Sequence, residues 1–300
     1  VSTTLFEIFN TTLRGRVAAA EPLSMHTTWR VGGPADLFLV PADREDLLAA
    51  LGLLRDREVP WLAIGAGSNL LVRDGGFRGA VIHTGSLRGV AFSAGTEVRA
   101  EGGAPLTGLI RRAAARGLGG LEALAGIPGT LGGAVAMNAG AGGQEMADAL
   151  ISVTVAGADG EESLAADALG FGYRCSNLPA KRVVVEARLR FQPEEPALLE
   201  EEIRRRLLHR REAQGVSAPN AGSVFKNPPG VSAWRLIAGA GLSGASVGGA
   251  TVSEKHANFI VNRGGATASD ILALITRIKD TVLRQSGIEL ETEVRIVGEG

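Results

Sequence analysis

The sequence predicts an α+β protein of roughly two domains, and three observations carry that prediction. Strand-like patterns crowd the middle of the chain, and amphipathic helical patterns recur before and after them. Pro193 and Pro196 then break the chain between a β-rich part and a more regular final third. At 300 residues the chain is long enough to bury a sizeable core.

The elements follow in order. Asp43 and Asp46 stand where a helix N-terminus wants side-chain acceptors, and Leu47, Leu48, Leu51 and Leu54 follow as an apolar stripe. Val59 to Ile64 reads as a short buried strand. Val81-Ile82 and Glu97 to Ala100 look like further strands, and Leu106 to Arg116 like a short helix with Gly117 at its end. Ile151 to Ala156 and Arg182 to Phe191 run or alternate apolar as strands do, with Ala158-Asp159-Gly160 as a turn between them. Beyond a domain boundary near Gln192, a charged helix is predicted from Ala197 to Glu212. Thr267 and Asp270 form a capping-box start for a helix with Ile271, Leu274, Ile275, Ile278, Val282 and Leu283 on one face, ended by Gly287. In the terminal strand Ile288, Leu290, Thr292, Val294 and Ile296 share one face, leaving Glu289, Glu291, Glu293 and Arg295 on the other.

Composition excludes several classes. The formal net charge is −1, so the whole surface has no general attraction for nucleic acid or anionic lipid. The single Cys175 excludes an internal disulfide framework, and the N-terminus lacks the basic-then-apolar order of a signal peptide, so a cytoplasmic protein is expected. Ala123 to Gln144 carries no charge and is long enough to cross a bilayer, yet its glycines and Pro128 argue against a membrane helix. His26, His83, His209 and His256 show no metal-ligand spacing, and no metal site is expected.

Glycine makes up 42 of the 300 residues and falls in turns and loops. Gly65-Ala66-Gly67-Ser68-Asn69-Leu70 follows a predicted strand; Ser68 and Asn69 can donate to phosphate oxygens, and an ordinary turn is the plain alternative. Gly126-Ile127-Pro128-Gly129-Thr130-Leu131-Gly132-Gly133, continuing to Asn138-Ala139-Gly140, has more glycines than a packed turn needs. Residues without Cβ let main-chain N–H groups approach an anion closely, and two such loops suit the two ends of a large phosphorylated cofactor.

Other motifs weigh less. Gly239 to Gly244 fits a dinucleotide fingerprint but follows a helical pattern, Gly244 to Gly248 fits a nucleophile elbow without a His/acid partnership, and no Gly-Lys-Ser/Thr occurs. Pro219 to Pro228 gathers Ser223, Lys226 and Asn227, the composition of a polar pocket wall or of a surface loop. Tyr173, the sole tyrosine, stands beside Arg174, and Glu293 lies on the polar face of the last strand. Taken singly, each has a solvated-surface reading.

In this order and spacing the segments resemble the UDP-N-acetylenolpyruvoylglucosamine reductase family. The resemblance rests on Thr27-Thr28-Trp29-Arg30-Val31-Gly32-Gly33-Pro34-Ala35, the two glycine loops, Phe171-Gly172-Tyr173-Arg174, Gly222 to Pro228, Ser253 to Phe259 and Leu290 to Arg295. It implies an α+β fold with an FAD-binding domain of the vanillyl-alcohol oxidase/PCMH type in two subdomains, 1–86 and 87–192. An α+β substrate-binding domain, 193–300, would follow, with the final strand free to return to the FAD domain. It implies NADPH as the reductant of FAD, and UDP-N-acetylglucosamine enolpyruvate as the substrate reduced to UDP-N-acetylmuramate for peptidoglycan.

The resemblance also implies site residues. Arg174, Ser223 and Glu293 would be catalytic, and Tyr173, Arg174, Lys226, Asn227 and Glu293 would hold substrate. FAD would lie against Gly65, Ala66, Gly67, Ser68, Asn69, Leu70, Gly126, Ile127, Pro128, Gly129, Thr130, Gly132, Gly133, Asn138, Ala139 and Gly140. With no second tyrosine the chain resembles the shorter form of the family. Ala213-Gln214-Gly215 stands where relatives often show Lys-Gln-Pro, so a basic contact expected there falls to Arg210 or Arg211. The implied partner is a small molecule, with no nucleic acid, no membrane, and a monomer or weak oligomer. An oxidase of the same broad fold and a non-catalytic nucleotide-binding protein are the competing readings.

Overall fold

The computed structural model describes residues 3–300. The chain runs α1 (Thr3–Thr12), β1 (Arg16–Pro22), β2 (Pro34–Val40), α2 (Arg44–Asp56), β3 (Trp61–Ile64), β4 (Leu70–Val72), β5 (Phe77–His83), β6 (Val90–Phe92), β7 (Glu97–Glu101) and α3 (Leu106–Ala114). It continues through β8 (Leu118–Gly119), α4 (Leu131–Ala136), β9 (Gly140–Ala141), β10 (Gln144–Glu145), β11 (Leu150–Gly157), β12 (Gly160–Ala165), β13 (Val183–Arg190) and β14 (Gln192–Pro193). The last part holds α5 (Pro196–Gln214), α6 (Ala233–Gly239), β15 (Ser246–Val247), β16 (Ala250–Val252), β17 (Ile260–Asn262), α7 (Ala268–Ser286) and β18 (Arg295–Val297). No helix among the described residues is long and apolar enough to cross a membrane.

Two compact units divide these elements. The first takes the chain up to Ala19, Asp36–Ala66 and Gly79–His209; the second takes Ala20–Ala35, Gly67–Arg78 and Arg210–Gly300. In the first, a four-stranded sheet runs in the order β1-β2-β5-β3 and a five-stranded sheet in the order β12-β11-β13-β7-β6. One core gathers Phe9, Leu37, Leu47, Leu51, Leu54 and Ile82, and another gathers Val98, Leu109, Val135, Val153 and Leu189. In the second unit β15-β16-β17 form a three-stranded sheet, and Val252, Ile260, Ile271, Leu274 and Ile278 belong to a single core.

Local chemistry explains the helix ends. Asp43 caps α2 by accepting from Asp46 N, as expected, but the Asp46 carboxylate is buried and accepts from Arg14 N, Gly15 N and Ala42 N at 2.8–2.9 Å. Asp46 therefore ties the chain entering β1 to the start of α2. Both halves of the Thr267/Asp270 capping box form, and Gly287 closes α7 in the left-handed region at φ 70°. Leu283 departs from its predicted face and is exposed, because the buried stripe of α7 runs through Ile278 and Val282.

Strand boundaries shifted more. The turn at Ala158-Asp159-Gly160 joins β11 to β12, a strand the pattern did not flag, and β13 pairs on the other edge of β11. The terminal strand is shorter than its alternation suggested. Only Arg295–Val297 is strand, parallel to β4, although Leu290 and Val294 are buried and Glu289, Glu291 and Arg295 are exposed as the alternation requires.

Candidate active site

The long glycine stretch folds as more than a loop. Thr130 caps α4 by accepting from Gly133 N, which places Gly132 and Gly133 inside a short helix. Gly65 lies so close to the Thr130 hydroxyl that a Cβ there would meet Oγ1 at 2.2 Å. The two glycine loops therefore abut within the first unit, where Ala66, Pro128 and Gly133 are exposed beside that contact. Gly65, Ala66, Pro128, Thr130 and Gly133, the residues at this contact, carry no charge.

The other half of the Gly65 to Leu70 loop belongs to the second unit. Gly67, at φ 61°, accepts from Thr28 N at 3.2 Å and leaves no room for a Cβ against His26 O. Asn69 is fixed from both sides of its residue: its amide donates to Glu293 O at 3.0 Å, and its carbonyl accepts from Arg295 N at 3.0 Å. Beside Gly67 the buried Thr28 hydroxyl has no hydrogen-bond partner among the described residues. A large anionic cofactor fits this donor set: a hydroxyl awaiting an acceptor and backbone made accessible by glycine.

Tyr173 and Arg174 sit at the centre of a tight turn in the first unit. Gly172 N donates to Cys175 O and Cys175 N to Gly172 O at 3.1 and 3.2 Å, and Arg174 is left-handed at φ 57°. Its Nη2 donates to Gly140 O at 2.7 Å, its Nη1 lies 3.9 Å from Glu145 Oε1, and the guanidinium stands 4.9 Å from the centre of the Tyr173 ring. Asn138, 1 % exposed, donates to Glu145 Oε2 and Gly172 O and accepts from Ala147 N. Its side chain is thus taken up by the protein.

Ser223, Lys226, Asn227 and Glu293 come together in the second unit. Val224 O accepts from Glu293 N at 2.8 Å, and Lys226 N donates to Glu291 O at 2.9 Å, so the Ser223 segment pairs with the segment before β18. Buried Asn258 clamps the same segment: Oδ1 accepts from Phe225 N at 2.9 Å and Nδ2 donates to Phe225 O at 2.8 Å. Lys226 Nζ meets Glu291 at 2.5 Å, and Asn227 Oδ1 accepts from Ala233 N at the start of α6. Asn69 joins the glycine loop to this segment through its bond to Glu293 O.

Glu145 and Asn258 are given no role in the sequence reading. Both act on backbone and side chains far away in sequence, a relation no local pattern records. Arg210 is half-buried with no hydrogen bond or ion pair among the described residues, and burial pushes its pKa down. His256, between Trp234 and Phe259, carries a buried Nδ1 without a hydrogen-bond partner among the described residues, and burial likewise lowers its pKa. None of the predicted site residues lines the cavity of about 470 Å³ between α3 and α5, or the groove of about 400 Å³ beside Arg30, Asn262 and Arg263.

Comparison with known proteins decides the family. Residues 214–297 match the family described as UDP-N-acetylenolpyruvoylglucosamine reductase, C-terminal domain, and residues 35–163 match an FAD binding domain. The UDP-N-acetylenolpyruvoylglucosamine reductase of Syntrophotalea carbinolica is 56% identical over 287 residues, 96% of each chain. The chain belongs to the UDP-N-acetylenolpyruvoylglucosamine reductase family. That of Geobacter metallireducens is 50% identical over 288 residues, again 96% of each chain. The crystal structure of the Thermus caldophilus enzyme of this family has a TM-score of 0.80 at 38% identity, covering 95% of this chain and 99% of that one. An alkyldihydroxyacetonephosphate synthase, at TM-score 0.50 and 15% identity over 64% of this chain, shares the fold alone. The fold is therefore the α+β fold expected, with an FAD-binding domain of the vanillyl-alcohol oxidase/PCMH type, and the chain is an FAD-dependent oxidoreductase.

Proposed function

We propose that the chain catalyses the NADPH-dependent reduction of UDP-N-acetylglucosamine enolpyruvate to UDP-N-acetylmuramate in peptidoglycan precursor synthesis. Residues 1–86 and 87–192 would serve the cofactor and 193–300 the substrate, in the cytoplasm. Bound FAD would supply the hydride-transfer chemistry between NADPH and the enolpyruvyl methylene carbon. Gly65 to Leu70 and Gly126 to Gly140 would hold that cofactor largely through their main chain.

The protein's own task is the charge that develops on the substrate carboxylate as the hydride adds. Arg174 would face it with the fixed donors of a guanidinium. Glu293 would assist as a protonated acid or through a hydrogen-bonded network, because a bare carboxylate would repel the same charge. Ser223 would give its proton to the neighbouring carbon; a serine is a weak acid in water, so the transfer depends on proximity and on a strongly basic carbon. Lys226, Asn227 and Tyr173 would hold the substrate. Lys226 must leave Glu291 to do so, and that exposed carboxylate holds it only weakly. Of the two candidates for the basic contact to the diphosphate or carboxylate, Arg210 is the better: it is half-buried and its guanidinium is unpaired among the described residues, whereas Arg211 is exposed.

The observation that carries the reading is the Glu293–Val224 backbone bond, which sets two of the three chemical groups on paired segments although they are remote in sequence. The test is anaerobic. NADPH should bleach the yellow holoprotein, and UDP-N-acetylglucosamine enolpyruvate should restore the colour. Colour that returns only in air, with hydrogen peroxide, would indicate an oxidase instead. A protein unable to take up FAD would be a nucleotide-binding module without catalysis.

A further inference from the structure

The group that holds Arg174 is unusually specific. Glu145 presents one oxygen 3.9 Å from Nη1 of Arg174, and its other oxygen accepts from the buried Asn138 amide at 2.7 Å. Asn138 simultaneously grips the Arg174 turn through Gly172 O at 3.1 Å and the hairpin strand β10 side through Ala147 N at 3.0 Å. Gly140 completes the arrangement. Its carbonyl accepts from Nη2, and a Cβ at this position would fall 2.8 Å from Arg174 Nη1 and 2.9 Å from Glu145 Cγ. A side chain at position 140 would therefore separate the guanidinium from the carboxylate.

We propose that Glu145, locked by Asn138, is a positioning residue that fixes the Arg174 guanidinium for the carboxylate of the substrate. The proposal rests on the reading that Arg174 meets that carboxylate. Physically, an arginine side chain has many rotamers to lose, and a planar donor fork recognises a carboxylate best when its plane is already set. Two anchors of different kind, a carbonyl on Nη2 and a carboxylate near Nη1, define that plane as one anchor cannot. The Glu145 side chain is 38% exposed and the ion pair is long, so water screens it and Glu145 orients Arg174 without neutralising it. Asn138 explains why so loose a pair holds its geometry: the amide, not the ion pair, sets the carboxylate.

The test uses the FAD-loaded enzyme and two probes that differ in one group: UDP-N-acetylmuramate, which carries the carboxylate, and UDP-N-acetylglucosamine, which lacks it. In Glu145→Gln the dissociation constant of the first should rise about tenfold, while that of the second stays at the wild-type value. Reduction of the flavin by NADPH should be unchanged and its reoxidation by the enolpyruvyl substrate slowed. Glu145→Asp, which keeps the charge and withdraws it by one methylene, should fall between wild type and Gln. Equal losses for both probes would mean that Glu145 only maintains the local fold, and no loss for either would mean that it does nothing for Arg174; both outcomes overturn the proposal. If the Gln variant loses FAD, the Asp variant decides by the same two constants. Arg174→Ala separates the layers: if it too fails to discriminate the probes, the assignment of Arg174 to the carboxylate falls and Glu145 with it. If it discriminates and the Glu145 variants do not, only the positioning role is lost.

Discussion

In the first unit Arg174 rides on a four-residue turn, and its guanidinium is oriented by groups from β9, β10 and the end of the long glycine stretch; in the second, Ser223 lies on an extended segment held by backbone pairing and one buried amide. Asn138 and Asn258 are the counterparts. Each is buried and bonded to main-chain atoms, but Asn138 works on a side chain through Glu145, whereas Asn258 works directly on the Phe225 backbone. A long flexible group needs its plane fixed, while a serine hydroxyl, one bond from the backbone, is placed once the backbone is placed. The two sites should consequently respond to different injuries.

The sharpest contrast is chemical. Ser223→Ala should leave the reduction of FAD by NADPH at the wild-type rate and slow flavin reoxidation by the enolpyruvyl substrate about 10²–10⁴-fold; stopped-flow absorbance of the two half-reactions measures both. Near-normal turnover would remove Ser223 from the chemistry and leave its segment a purely structural one. Next comes stability. Asn258→Ala strands a buried N–H and a buried carbonyl of Phe225, at a cost of about 2–4 kcal/mol in urea unfolding. A loss under 1 kcal/mol, on the order of one exposed hydrogen bond, would show that pairing with the segment before β18 holds Ser223 by itself.

Legibility in the sequence follows the same divide between local and distant bonds. Helix ends were readable because their chemistry is local: Asp43 caps α2, the Thr267/Asp270 box opens α7, and Gly287 closes it. The rejected dinucleotide fingerprint at Gly239 to Gly244 is likewise preceded by α6 and not by a strand. Strands were less legible. β12 pairs an exposed, acidic segment against β11, and nothing in Glu161-Glu162-Ser163 announces a partner across a turn. The α4 helix is six residues long, too short to show a 3.6-residue period, so its glycines read as loop. Chemical roles for Tyr173, Ser223 and Glu293 were proposed only through the family resemblance, because taken singly these residues carry no local signature. Glu145 and Asn258 stayed hidden since each acts on groups supplied by other segments.

A milder test probes how the second unit's longest helix is tied down. Asp74, from the turn after β4, accepts from Ala268 N and Ser269 N at 2.8 Å and from Ser269 Oγ at 2.6 Å, so a carboxylate sits on the first turn of α7. Partial burial works to raise its pKa, but the bonds from Ser269 and Ala268 outweigh it and hold the carboxyl below its ordinary value. With the folded pKa depressed, the unfolded chain binds the extra proton first, so stability increases with pH across this window. The contribution is fully present above the unfolded pKa and disappears as pH falls through the folded one. Asp74→Asn keeps the shape and one acceptor but removes the charge; because Asp74 is exposed and water screens it, the cost should be about 0.5 kcal/mol at pH 7 and should shrink in acid as the folded carboxyl protonates. Asp270, whose carboxyl is lowered chiefly by the Thr267 N–H, titrates in the same window and should leave a residual slope in the variant. Unfolding in urea at pH 7 and in acid separates the cases: an equal deficit in both would assign the effect to lost hydrogen-bond geometry, with no part for the charge at the helix terminus.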